Sequence, residues 1–300
     1  MRLRRAGVLG LGKAGSALCA SLLEAGVTLS GVFSRSAARR QGFATRCSAI
    51  VTPRGRLDRL LHDLTAQDCQ VLFLAVPDDA LGELASRLVR APAQPPVIVH
   101  LSGARGHEAL DALGGRAALG SFHPLAALSD DRPIPLGTLV ALEATRARER
   151  HALTALATAM GLSPTRVPSS ARAQYHLGAV TSANLAVALL QRGIEHLQAA
   201  GVDEELARVS LARLLMSTAR GAELRPLPEM MTGPIARGDV STVGSHLEVL
   251  QREPQADRQV YRLLSLALVE MARLPPARKT ALRTLLDVST VGTSAPTQKR

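Results

Sequence analysis

Gly10-Leu11-Gly12-Lys13-Ala14-Gly15 is the stretch on which the reading of the fold turns. A β-like run over residues 6–9 precedes it, a helical stretch over residues 15–25 follows, and a second β-like run covers residues 28–33. In that setting each glycine has a physical reason. The first permits a tight turn, the second lets backbone N–H groups approach a pyrophosphate, and the third lets helix pack on strand. The helix N-terminus then turns its unpaired donors and partial positive charge toward the phosphates. Strand, glycine loop and helix together predict a dinucleotide-binding Rossmann unit, with all six residues of the loop in the cofactor site.

The alternation continues outward. Further strands are expected over residues 71–76, 97–101, 118–121 and 139–143, with a last one near 165–167. Helical stretches cover 79–89 and 149–160. The run Val71-Leu72-Phe73-Leu74-Ala75-Val76 is apolar on both faces, as a central parallel strand covered by helices must be. The expected class is therefore α/β, with a doubly wound sheet over residues 1–168. After Pro168 the character changes to helical periodicity alone. A long helix is expected over 171–199, stopping at Gly201; another starts at Asp203 as N-cap, and others cover 239–251, 255–273 and 276–286. Residues 169–288 thus predict an all-α domain, and 289–300 a disordered tail.

The end of the second strand selects the dinucleotide. Where NAD-binding domains place a carboxylate on the ribose, this chain reads Ser34-Arg35-Ser36, followed by Arg39 and Arg40. Nothing there repels a 2′-phosphate, and a guanidinium grips one with paired hydrogen bonds, which points to NADP. These residues also suit the exposed start of a helix. Val76-Pro77 ends another strand at the cofactor edge, and Asp78 or Asp79 is expected to cap the helix that follows.

Unusual polar residues mark two further strand ends, His100-Leu101-Ser102-Gly103 and Ser121-Phe122-His123-Pro124, both expected on the nicotinamide side. The long helix begins with Tyr175 and His176 and continues to Ser182 and Asn184; His176 and Asn184, eight apart, are separated by about 80° and share a broad face. Thr232-Gly233-Pro234-Ile235-Ala236-Arg237-Gly238-Asp239 reads as a loop leading into a helix that bears Thr242 and His246. Reducing a carbonyl requires an acid for the emerging alkoxide and donors around it. His123, Ser102, Asn184, His176, Asp239 and His246 are the candidates, with His123 first; His100 reads as structural. Each histidine also has a reading as a hydrogen-bonded structural residue.

Composition limits the alternatives. The charge of +11 is nearly all arginine, since Lys13, Lys279 and Lys299 are the only lysines, and just 2% of residues are aromatic. Scattered arginine without stacking residues argues against nucleic acid. No apolar run reaches the roughly 18 residues that span a bilayer. Cys19, Cys47 and Cys69 lack metal-ligand spacing, so no metal is expected and reduced thiols suit the cytoplasm. Arg4-Arg5 before an apolar stretch mimics a secretory signal, but Lys13, the glycines and Glu24 fit strand, turn and helix instead.

Taken together, the glycine loop, Leu74-Ala75-Val76-Pro77-Asp78, His100 to Gly103, Phe122-His123-Pro124-Leu125, Tyr175-His176 through Asn184, and Thr232-Gly233-Pro234 through His246 resemble a bacterial family. That family joins a Rossmann-like domain to a helical domain of formerly unknown function. It is similar in layout to the superfamily of 6-phosphogluconate dehydrogenase, ketopantoate reductase, pyrroline-5-carboxylate reductase and prephenate dehydrogenase. The resemblance implies a homodimer through the helical domain and an NADP-dependent reduction of a small polar carbonyl or imine, with ketopantoate the first substrate to consider. His123-Pro124 resembles the His-Pro of prephenate dehydrogenases, and Ser102-Gly103 their serine loop. Asn184 resembles the asparagine of a Lys-x-x-x-Asn motif in which Val180 here replaces the lysine, so the resemblance implies a histidine as the acid. Two other readings stay open: an NADP-binding regulator without catalysis, and hydride exchange between NADP and another carrier such as a deazaflavin.

Overall fold

The computed structural model describes residues 2–47, 54–90, 95–129 and 132–287. Among them, strands β1 (Arg5–Leu9), β2 (Thr28–Phe33), β3 (Val71–Leu74), β4 (Val97–His100), β5 (Ala118–Pro124), β6 (Leu139–Ala144) and β7 (Ser163–Arg166) form one sheet. Its order is β2-β1-β3-β4-β5-β6-β7. Through β5 all neighbours are parallel. β6 returns antiparallel on β5, and β7 is parallel to β6. The expected doubly wound sheet is therefore mixed at one side. A parallel return needs a crossover of a dozen or more residues, usually a helix, and none of the described residues between β5 and β6 is helical. The same pairing carries β5 on to Pro124, past its expected end at Ser121.

Along β3, Val71 and Phe73 enter the core on one face, while Leu72 and Leu74 enter the core on the other. Helices α1 (Lys13–Glu24) and α5 (Ala147–Ala159) cover the first face through Leu18, Leu22, Leu153 and Leu156. Helices α3 (Leu57–Ala66) and α4 (Leu81–Leu88) cover the second through Leu60, Leu64, Leu81 and Leu88. α3, with leucines at 57, 60, 61 and 64, and the polar α2 (Ala37–Cys47), which buries Phe43, lie outside the helical stretches expected from the sequence. Because β1 is flanked by β2 and β3, chain crossovers leave it in opposite directions, and a crevice opens beyond its carboxyl end.

After β7 the chain is helical. α6 (Arg172–Ala179) passes through a π turn, Val180–Asn184, into α7 (Leu185–Ala199), so the single long helix expected here carries a local defect. β7 ends two residues before Pro168, yet the compact units are Met1–Val187 and Ala188–Arg300. α6 belongs to the first unit because Arg172 and Tyr175 are bonded to β5.

The second unit holds α8 (Glu204–Leu224), α9 (Leu227–Met230), α10 (Gly233–Arg237), α11 (Val240–Leu250), α12 (Gln255–Met271) and α13 (Pro276–Leu286). Asp203 caps α8 as expected, accepting from the Leu206 N–H at 3.1 Å. The Gly-Pro stretch expected as a loop is instead the short helix α10. Pro234 suits its first turn, and Gly238 closes it in the left-handed region at φ 68°. Ile235, Val243, Leu247, Leu250, Val269, Leu282 and Leu286 form its core. No helix among the described residues is long and apolar enough to cross a membrane. The tail expected over 289–300 lies outside the described residues.

Candidate active site

The crevice beyond β1 holds a cavity of about 290 Å³. Gly10, Leu11 and Gly12 line its floor, Ser34, Arg35, Ser36 and Arg39 one wall, and Val76 and Pro77 another. Leu57 and Leu84 add apolar surface suited to a base. Gly10 sits at φ 111° with its Cα facing Ala75 O, a conformation and an approach that exclude side chains. Gly12 precedes α1 without any side-chain cap, so the first N–H groups of that helix remain for a ligand. Lys13, Ala14 and Gly15 do not line the cavity: Lys13 is exposed, Ala14 packs against the core, and Gly15 is buried against Gly10 O.

The arginines divide their work. Arg40 Nη1 donates to Ser34 O at 2.7 Å and to Arg35 O at 2.9 Å, so it holds the turn. Ser34 Oγ accepts from the Ser36 N–H, and Ser36 Oγ from the Arg39 N–H, both at 3.3 Å. Arg35, Arg39 and Arg87 line the cavity and are exposed. Glu83, on α4, lines the same cavity.

Next to the cavity wall stands a second group. Pro77 leads into Asp78, whose Oδ2 accepts from Ser102 Oγ at 2.7 Å. Neither Asp78 nor Asp79 caps the following helical turns, contrary to the expectation from sequence; the carboxylate of Asp78 is spent across the sheet instead. Ser102 Oγ also accepts from the Arg105 N–H at 3.0 Å, which fixes its turn. His100 is fully buried, with Nε2 on Gly106 O at 2.8 Å and Nδ1 accepting from the Ser102 N–H at 3.2 Å. Both ring nitrogens therefore shape the turn that presents Ser102 and Gly103.

Gly103 in turn faces the histidines. A Cβ there would stand 2.8 Å from His123 Nε2 and 2.9 Å from His176 Cδ2, so only glycine allows both rings to close on this turn. His123 Nδ1 shares a 2.8 Å hydrogen bond with the Tyr175 hydroxyl, the rings meeting edge to face. Burial first, then the nearby Arg172 and His176, pull the His123 imidazole down to about 4, with Asp78 opposing and His100 adding to the fall. The depression leaves the imidazole predominantly neutral at pH 7.

His123, Ser102 and His176 are therefore brought together, joined by Tyr175, Asp78 and Arg172. Asn184 is exposed on the π turn of the same unit. Asp239 and His246 belong to the second unit, where their partners are local. Asp239 caps α11, accepting from the Thr242 N–H at 3.0 Å and from Thr242 Oγ1 at 2.6 Å. His246 Nδ1 pairs with the Tyr261 hydroxyl at 2.8 Å. Arg172 and the role of Asp78 went unrecognised in sequence. One signal was available, since Arg172 and Tyr175 stand one helical turn apart just where the sheet ends. Among the described residues, no cluster of three or more His, Cys, Asp or Glu is placed to hold a metal ion.

Comparison places this architecture. Residues 1–126 match the Rossmann-like domain, and residues 138–268 match the domain of unknown function DUF2520. No curated protein matches the sequence. A Bacteroides fragilis protein provisionally described as an NADP oxidoreductase superposes with a TM-score of 0.72 at 21% identity, over 89% of this chain and 98% of that one. A Thermotoga maritima protein gives 0.65 at 21% identity over the same shares. Plasmodium falciparum pyrroline carboxylate reductase with NADP bound gives 0.58 at 12% identity, over 94% and 99%. At such identities the likeness is one of fold. The chain thus joins a Rossmann-like domain to the domain of unknown function DUF2520.

Proposed function

We propose that this protein is an NADP-dependent oxidoreductase that reduces a small polar carbonyl or imine compound. The observation that carries this reading is the Asp78–Ser102 hydrogen bond, because it ties the wall of the dinucleotide cavity to the turn facing His123. The residues fit the cofactor. Open space above Gly12, uncapped N–H groups at α1 and the cations Arg35 and Arg39 suit a pyrophosphate and a 2′-phosphate. Bound NADPH supplies the hydride. Ser102 Oγ, donating to Asp78 and accepting from the Arg105 N–H, fixes the turn that faces the substrate, and His123 passes a proton to the substrate oxygen. The dinucleotides named for two of the similar structures, NADP in both, agree with this choice.

Incubating the protein with NADPH and a panel of 2-oxo acids, ketopantoate first, tests it by loss of reduced-nicotinamide absorbance. Turnover of any member supports the reading. Tight NADPH binding with no turnover across carbonyls, imines and a deazaflavin favours a regulator that only binds the cofactor.

For the cofactor, Arg35→Ala is expected to weaken NADPH binding roughly ten-fold or more, since a charge-assisted phosphate contact is lost. NADH affinity stays nearly constant. Equal losses for both, measured by titration calorimetry, remove Arg35 from the phosphate site. A homodimer and a cytoplasmic setting belong to the same proposal. Exposed Leu206, Leu214, Leu215, Met216 and Leu224 along α8 support the first, and the buried thiols of Cys19 and Cys69 the second.

A further inference from the structure

Arg172 opens α6 with a side chain only 1% exposed. Its Nη2 donates to Ser121 Oγ and, at 3.3 Å, to Ala141 O, while Nε and Nη1 have no hydrogen-bond partner. A buried guanidinium ordinarily meets a carboxylate in a two-pronged contact. Here the compensation is indirect. Glu143, opposite Ser121 on β6, accepts from Ser169 Oγ at 2.8 Å, and Glu108 lies on the other side of that serine. A cation buried with two of its three nitrogens unpartnered works against stability, so its position calls for another explanation.

What lies beside it is His123. Ser121 and His123 are two apart on β5 and share one face of the sheet. Arg172 and Tyr175 are three apart on α6 and share one face of the helix. The two rows meet in register, Arg172 on Ser121 and Tyr175 on His123. The Arg172 guanidinium carbon is also 5.9 Å from the Tyr175 ring centre.

We propose that Arg172 is a positioning residue for His123: it pins the first turn of α6 to β5 in the register that lets Tyr175 hold the imidazole, and it sets a fixed charge beside that ring. This rests on His123 being the proton-transfer residue, and it adds a group that touches neither substrate nor cofactor. The charged and titratable groups facing His123 are Asp78 beyond β3, His100 on β4, and Arg172, Tyr175 and His176 on α6. After burial, Arg172 is the strongest influence against protonation, and Asp78 works the other way.

The test is a histidine titration by NMR, with His123 assigned from the signal that His123→Asn removes. It needs no substrate, so a failed turnover assay leaves it intact. Wild type is expected to titrate at about 4. Arg172→Lys keeps that low midpoint because the charge stays, and Arg172→Gln raises it, while burial still holds it below the ordinary value near 6.5. A folded Arg172→Gln protein with an unchanged midpoint overturns the proposal, as does a wild-type His123 that titrates near 6.5. If Arg172→Gln does not fold, Ser121→Ala decides. It removes the anchor of the guanidinium on β5, so a raised midpoint supports the proposal, and an unchanged one overturns it.

Discussion

Gly12→Val is expected to weaken NADPH binding by on the order of 100-fold while the protein stays folded. The residue has an extended backbone, φ −80° and ψ −172°, that valine adopts readily. A Cβ at this position meets only Arg39 Nη1, at 3.5 Å, which is ordinary contact. The space above Gly12 is thus open in the protein itself, and a branched side chain there blocks the approach to the first N–H groups of α1. Overpacking of this kind costs about 1–3 kcal/mol, and each 1.4 kcal/mol is roughly ten-fold in affinity. The other two glycines make poor tests. A Cβ on Gly15 would lie 1.8 Å from Gly10 O, and one on Gly10 would lie 2.1 Å from Ala75 O at a φ of 111°. Substitution there breaks the loop, and any loss of binding is uninformative. Calorimetry on a Gly12→Val protein of normal melting temperature is the measurement, and unchanged NADPH affinity would sink the assignment of this loop.

His123→Asn is expected to lower turnover by about 10²–10⁴-fold, the usual range for a lost proton-transfer group. NADPH affinity stays constant, and the asparagine amide can still bond Tyr175. The pH profile gives the sharper signature. With the imidazole pulled down to about 4, the protonated form is scarce at pH 7. Reduction by the wild type therefore quickens as the pH falls, roughly ten-fold per unit until it approaches that value, while the variant shows a flat profile. A stable variant with near-normal turnover moves the role to His176 in the same group, or to His246.

The same depression affects stability, and its sign follows from proton binding. An unfolded histidine takes up its proton near pH 6.5, the folded His123 only near 4, so the unfolded state binds more protons between these values. The stability contributed by the neutral ring is full above about pH 6.5 and is lost as the pH falls toward 4. Urea unfolding at pH 7 and pH 5 should show a smaller loss for His123→Asn than for wild type.

Much of this architecture was legible in the chain before any coordinates. The glycine loop between strand and helix, the doubly apolar run at β3, the change to helical periodicity after Pro168 and the cap at Asp203 all depend on neighbours within a few residues. Backbone sterics, capping and hydrophobic period act over that range, so local spacing determines them. α3 was equally local, its leucines spaced for a helix, and its absence from the expected elements is a matter of reading rather than of missing signal. Arg35 and Arg39 were visible for the same reason, as cations standing where a carboxylate ordinarily holds the ribose.

Contacts between distant residues were decided only when the chain folded. Asp78 looked like a cap because capping is the commonest local use of an aspartate before a helix. Its hydrogen bond instead reaches Ser102, 24 residues on. His123 meets Tyr175 across 52 residues and Ser121 meets Arg172 across 51, and these pairings set the tautomeric partner and the charge environment of the imidazole. The direction of β6 likewise followed from the lack of a helical crossover after β5. Periodicity along one element says which face is buried, but not which side chain of another element will stand against it. Burial and opposing charge, which set the proton affinity of His123, arise only from that packing.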